Sequence, residues 1–232
     1  MNLFDIIVSS FRLIFSFDSA LYEIIILSLY VSISALIISS LFGLATGFLI
    51  SSYNFNFKSS LLVILNALMG IPPVVVGLGV YLLFAKGGSL GVFDLIYTPY
   101  AMIVAQSIII FPIISSLSYE FFKESLNQYD DHFRSMNIPL LGRFVTLFRN
   151  GYFVIMTVLM AGFGRAISEV GAIMIVGGNI EHHTRAMTTA ISLETRRGNL
   201  DYAMALGIIL ILLTFLINAI IYIFNINRGK EK

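Results

Sequence analysis

Arg165 and Glu169 stand four residues apart in the run GRAISEVGAIMIVGGN, residues 164–179, whose other side chains, Asn179 apart, are apolar, small or hydroxylic. Residues four apart share one face of an α-helix, so the spacing predicts an internal ion pair. A lone charge at the centre of a bilayer costs about 2.5 to 3.5 kcal/mol on insertion scales, and a paired charge turned toward protein costs less. Gly164, Ser168 and Ala172 recur at the same spacing, which lets a neighbouring helix approach closely. Two readings stay open: the pair fixes packing, or it belongs to a gate or pathway.

Two further stretches carry potential chemistry. LMGIPPVVVGLGVY places Pro72 and Pro73 inside an apolar segment, where they remove two backbone donors and clash with carbonyls one turn earlier. The segment is predicted to break; it is either a packing kink or a half-helix whose N-terminus offers free N–H groups to an anion. After Asn179, a second short helix is predicted, capped by Thr184 and ended by Gly198. Arg185, Thr188, Ser192 and Arg196 then form a polar stripe of donors, which is what an oxyanion needs because it only accepts hydrogen bonds. The same stripe also suits a solvated helix face. His182 and His183 are adjacent and lack a carboxylate or cysteine at ligand spacing, so no metal site is predicted, and no cofactor.

Elements that could hold these groups follow from composition. Of 232 residues, 58% are hydrophobic and 12% charged, with mean hydropathy +0.91. Soluble domains carry about 25% charged residues, so this is an integral membrane protein. A net charge of +1 and no basic tract give no argument for nucleic acid, and the absence of cysteine excludes disulfides and thiolate sites. A spanning helix needs about 20 apolar residues. Residues 24–50, 60–85, 97–119 and 202–226 qualify, and 150–177 qualifies when Arg165 and Glu169 are admitted, giving five spans. The N-terminal residues 1–18 place Phe4, Ile7, Val8, Phe11, Ile14 and Phe15 opposite Asp5, Ser9, Arg12 and Ser16, the pattern of an amphipathic helix lying in the interface. No removable signal peptide is predicted. Placing Lys58, Lys123, Arg134, Arg143, Arg149, Arg228, Lys230 and Lys232 in the cytoplasm leaves Arg12, Lys86, Arg185, Arg196 and Arg197 outside, in accord with the positive-inside rule.

The cytoplasmic loop 120–149 is long for a membrane hairpin. Leu126, Tyr129, Phe133 and Met136 recur at helical spacing before Pro139, predicting a short amphipathic helix that docks a soluble partner or rests on the membrane. No nucleophile elbow, metalloprotease motif or phosphate loop is present, so any ATP-driven work requires ATP hydrolysis in another chain.

Taken together, GIPPVVVGLGVYLLF, GFGRAISEVGAIMIVGGNI and TRAMTTAISLETRRGNLDYAMALG resemble the membrane-spanning permease of type I ATP-binding-cassette importers, most closely the tungstate-specific subfamily. The related molybdate permeases continue with a leucine-proline-leucine-rich segment where this chain has MTTAISLET. The resemblance implies one all-α permease domain over 1–232, with a core at 20–227, five transmembrane helices, an N-terminal interfacial helix and a cytoplasmic coupling helix. It implies a non-enzymatic subunit of a bacterial or archaeal cytoplasmic membrane, working as a homodimer with an ATPase subunit, an extracytoplasmic oxyanion-binding protein and membrane lipid around it. The family's Glu-Ala-Ala-x-x-x-Gly coupling motif falls here on Asp131, His132 and Phe133, with Asn137 in place of glycine. By the same resemblance the pathway is lined by Pro72, Pro73, Arg165, Glu169, Asn179, Thr184, Arg185, Thr188 and Ser192. Molybdate as cargo, an ion-coupled secondary carrier and a non-transporting assembly subunit are the alternatives.

Overall fold

Where this chain stays helical and where it breaks is decided by a few prolines, glycines and polar side chains. A computed structural model describes residues 3–16 and 18–229, with side chains over 6–16 and 18–219. Lys230 and Lys232, and the side chains of Phe4, Asp5 and Arg228, lie outside the described residues. The described residues are helical without strands: α1 (Leu3–Phe15), α2 (Ser19–Ser52), α3 (Lys58–Met69), α4 (Pro73–Phe84), α5 (Pro99–Ser135), α6 (Leu140–Asn150), α7 (Tyr152–Ile167), α8 (Gly171–Gly177), α9 (Met187–Arg197) and α10 (Leu200–Gly229). Among them α2, α5 and α10 are each long and apolar enough to cross a membrane, and the number is five if the broken pairs α3/α4 and α6/α7 each count as one span. The five-span expectation agrees with this.

Local chemistry accounts for the boundaries. Asp18 starts α2 by accepting the backbone N–H of Ala20 at 2.8 Å. No proline interrupts its 34 residues, about 51 Å at 1.5 Å per residue. Pro72 is extended, with φ −60° and ψ 123°, and Pro73 takes the first turn of α4, where its missing N–H is harmless. The break expected at these two prolines is present.

The chain folds as two compact units. One comprises residues 35–71 and 107–165. In it α2 and α5 approach along small residues. Ser39 donates to the Ser107 carbonyl at 2.9 Å, and a Cβ on Gly47 would lie 2.8 Å from the Ser115 carbonyl oxygen. Beside that seam sits an aromatic core in which Phe48 meets Phe122 and Phe144 edge-on, with ring centroids 5.2 and 5.0 Å apart. This core corrects the expected coupling helix. Residues 126–135 are the tail of α5, not a separate helix; Phe133 is 4% exposed, and Leu126 and Tyr129 pack against the same core. Their apolar stripe closes the protein's own interior. Met136 is 71% exposed and Asp131 is also exposed. Asn137 turns the chain at φ +50°, a left-handed conformation that asparagine tolerates, which explains its standing where glycine would be expected. Arg143 holds the turn from α6 by donating to the Ile138 carbonyl at 3.0 Å, and its guanidinium lies 5.6 Å from the Phe133 ring centroid.

The other unit comprises residues 1–34, 72–106 and 166–232. Here α1 packs along α10. Ser10 donates to the Asp201 carbonyl at 2.9 Å, and Ile6 is buried, while Val8, Phe11 and Phe15 stay exposed. The stripe that packs is thus Ile6 and Ser10, and part of the expected apolar face is left outward. Helices α4 and α8 approach closely in this unit: a Cβ on Gly77 would lie 2.7 Å from the Ala172 Cα. Gly79, by contrast, faces open space. Gly77→Ala should therefore lower the thermal unfolding midpoint of the purified protein, by a strain of about 1–3 kcal/mol, because backbone cannot step aside as a flexible side chain can. Gly79→Ala should leave that midpoint unchanged or slightly raised.

Candidate functional site

A helix interrupted at membrane depth must find partners for the N–H and C=O groups it frees. The chain does so at 168–170, where α7 has ended at Ile167 and α8 has not begun. The Ala166 carbonyl accepts from the Gln106 side-chain amide at 2.9 Å and from the Glu169 N–H at 3.2 Å. The Glu169 carbonyl accepts from the Thr188 hydroxyl at 2.6 Å, and the Glu169 carboxylate accepts the Ala172 N–H at 3.2 Å. Side chains of α5 and α9, together with Glu169 itself, thus seal the break.

This geometry corrects the reading of residues 150–177 as one helix with Arg165 and Glu169 on a common face. Arg165 is in the last turn of α7, whereas Glu169 lies in the break itself, two residues before α8, so each charge stands near the helix end whose dipole favours it. Glu169 is 3% exposed, and the Ala172 amide of α8 supplies part of the solvation it has lost.

The N-terminus of α4 lies beside that of α8. A Cβ on Gly171 would sit 2.6 Å from Val74 Cγ2 and 3.7 Å from both the Val74 amide nitrogen and the Glu169 carboxylate. Pro73 and Gly171 thus begin two half-helices whose N-termini lie near each other, with the buried Glu169 carboxylate hydrogen-bonded to that of α8. Among the expected site residues, the structure brings Pro72, Pro73, Glu169 and Thr188 together here.

The others are placed differently. Thr184 does not cap α9; its hydroxyl donates to the Gly177 carbonyl and accepts the Ile180 N–H. The N-cap is Ala186, and the first-turn donors are met by the Thr189 hydroxyl, which accepts the Ala186 N–H, and by Ser28 of α2, which accepts the Met187 N–H at 2.7 Å. Gly198 ends α9 as expected, at φ +78°. The donor stripe is largely occupied: Thr188 is committed to Glu169, Arg185 precedes the helix and pairs with Glu181 at 3.2 Å, and Arg196 donates back to Ser192. Asn179 follows Gly178 in the left-handed region at φ +52°, and its Oδ1 is buried with no hydrogen-bond partner. Tyr97 secures this end of α8 by donating its N–H to the Val176 carbonyl at 2.9 Å. Gln106 escaped the sequence reading. Its signal was present as the one amide within residues 97–119.

Outside the spans, the His182 ring bonds Glu23 at 2.6 Å, tying the loop after α8 to the start of α2. That hydrogen bond and the carboxylate charge raise the pKa of His182 above its usual 6.5, with Glu181 adding to the rise and Arg185 opposing it.

Comparison with known proteins adds three relatives and a family. Residues 39–226 match the family of binding-protein-dependent transport system inner membrane components. The chain is 37% identical over 214 residues to a tungstate uptake system permease of Peptoclostridium acidaminophilum, covering 92% of this chain and 94% of that one. It is 39% identical over 210 residues to a probable anion ABC transporter permease of Haloferax volcanii, covering 86% and 88%. A tungstate uptake system permease of Campylobacter jejuni is 37% identical over 171 residues, covering 72% and 70%.

Two outcomes follow from the geometry. Thr188→Val strips the Glu169 carbonyl of its side-chain donor and should cost about 1–3 kcal/mol in thermal unfolding, the penalty of a buried unsatisfied carbonyl, whereas Gln106→Leu leaves the Ala166 carbonyl its bond from the Glu169 N–H and should cost less. For the outer tie the folded pKa of His182 is raised, so its stabilisation is fully present below pH 6.5 and fades as pH rises through the folded value. The unfolding midpoint should accordingly differ between wild type and His182→Ala at mildly acid pH and converge in alkali.

Proposed function

The chain belongs to the family of binding-protein-dependent transport system inner membrane components, and on that premise we propose that it is the permease subunit of a tungstate importer. The observation that carries the cargo is its 37% identity to the Peptoclostridium acidaminophilum tungstate permease across 94% of that protein. A tetrahedral dianion cannot enter hydrocarbon unaided, since an isolated ion costs tens of kcal/mol to desolvate there. The permease supplies a transient polar path, and the energy comes from a partner ATPase, this chain having no phosphate loop.

The path includes the buried meeting point of α4 and α8. The Glu169 carboxylate accepts from the Ala172 amide of α8, so an arriving oxyanion gains this donor only as Glu169 withdraws. That competition keeps the anion from being held too tightly to leave. Pro72 and Pro73 serve by starting the α4 half-helix at this point, and Arg165 is carried by the last turn of α7. Asn179, Thr184, Arg185 and Ser192 support the surrounding turns.

The working assembly is a homodimer of this chain with two ATPase subunits and an extracytoplasmic oxyanion-binding protein. The ATPase contact is the exposed turn between α5 and α6 with its flanks, where Met136 and Asn137 are joined by Asp131 at the end of α5 and Leu141, 75% exposed, at the start of α6. Movement of that turn, rigidly attached to the aromatic core, transmits ATPase closure to the helices.

Cell-associated tungsten and molybdenum measured by mass spectrometry, in a deletion strain and in one carrying the gene, test the cargo. Selective loss of tungsten is expected; loss of molybdenum alone would assign the machine to molybdate. A Met136→Glu, Leu141→Glu double variant should fold normally but fail to retain the ATPase subunit on purification, because both changes lie at an exposed turn and its flank and place charge in an apolar contact.

A further inference from the structure

A cavity of about 570 Å³ opens where α2 begins, walled by α2, the loop before α9, α9 and the start of α10. It takes no part in the helix break. Its polar lining alternates in sign. Glu181 faces Arg185 at 3.2 Å, Glu194 faces Arg197 at 3.0 Å, and Glu23 faces His182 at 2.6 Å. Three carboxylates in the lining argue against a free dianion as the occupant. The pairs are also incompletely used. The Arg185 side chain is only 12% exposed, yet its Nε is buried with no hydrogen-bond partner. Glu23 and Glu181 are 55% and 61% exposed and keep accepting capacity.

The remaining wall is apolar and continues along the membrane. Ile26 and Tyr30 line the cavity, and the same face of α2 carries on to Ile33; all three are exposed. Helix α2, at 34 residues, is longer than the roughly 20 a bilayer core needs, so a cavity at its first turns falls near a membrane surface and the stripe continues toward the lipid chains.

We propose that this cavity binds a phospholipid with a phosphoethanolamine headgroup, its phosphate on Arg185 and Arg197, its ammonium on Glu23 and Glu181, and one acyl chain along the Ile26 to Ile33 face of α2. Guanidinium forks match phosphate oxygens, and a primary ammonium brings three N–H donors to the carboxylates. A purely anionic head would face Glu23 and Glu181 without compensation. A choline head would offer them charge without donors. The inference uses only the membrane location of the chain and is independent of its cargo.

The test is native mass spectrometry of the intact transporter, stripped of lipid in detergent and offered phosphatidylethanolamine, phosphatidylglycerol and phosphatidylcholine with identical chains. Wild type should retain phosphatidylethanolamine over each competitor by about fivefold or more, and the Glu23→Gln, Glu181→Gln double variant should bring the three within about twofold. Glu124→Gln, exposed on the tail of α5, should keep the wild-type preference. Equal retention of all three lipids by wild type, as when a second copy of the chain covers the cavity, would overturn the proposal. So would an unchanged preference in the double variant, or displacement of the lipid by glycerophosphoethanolamine at equal concentration, which would leave the acyl face without a role. Should the double variant lose its native elution profile, the wild-type preference and the displacement arm decide alone.

Discussion

Satisfying the backbone of an interrupted membrane helix is the constraint on which this protein's candidate site depends. At 168–170 an apolar chain stops being helical, and freed backbone groups buried in protein have no water to receive them. Gln106 reaches from α5 to the Ala166 carbonyl, Thr188 from α9 to the Glu169 carbonyl, and the Glu169 carboxylate returns to the Ala172 amide. With these partners, Glu169 is held at the positive end of α8, and Arg165 takes the negative end of α7.

The second broken element meets the first through glycine. Gly77 and Gly171 allow α4 and α8 to approach until backbone and side-chain atoms touch, which sets the two half-helix N-termini side by side. Such an arrangement is suited to anions and equally suited to trapping them. In the proposed mechanism a resident carboxylate at the same point resolves the conflict, because the passing ion exchanges with an internal anion and is never bound at full strength. The energy for that exchange is assigned there to a partner ATPase.

Legibility in the sequence followed the range of the interaction responsible. The break at Pro72 and Pro73 is written locally, since proline cannot donate. The break after Ile167 is not, for its partners Gln106 and Thr188 lie 60 and 19 residues from the carbonyls they serve. Between Arg165 and Val170 no proline or glycine marks it. Spans, the end of α9 at Gly198 and the odd asparagine at 137 were readable because each reflects length, composition or a local backbone demand. The stripe of Leu126, Tyr129 and Phe133 was read as helical correctly, and periodicity reports only that a face is buried: here it packs against the core of Phe48, Phe122 and Phe144. Likewise the hydroxyls of Thr184 and Thr188 looked like ligand donors because their backbone acceptors are remote in sequence or hidden in a turn.

The role of Glu169 as resident anion is tested most directly by Glu169→Gln, which keeps an oxygen for the Ala172 N–H and removes only the charge. The measurement is tungstate uptake together with ATPase activity in the reconstituted transporter, alongside the unfolding midpoint. The account predicts a midpoint near wild type, uptake reduced about tenfold or more, and ATP hydrolysis no longer proportionate to transport, because the anion now lingers at the break. Uptake and coupling both at wild-type levels in a folded Glu169→Gln transporter would contradict it, leaving the carboxylate only a part in the packing of α8.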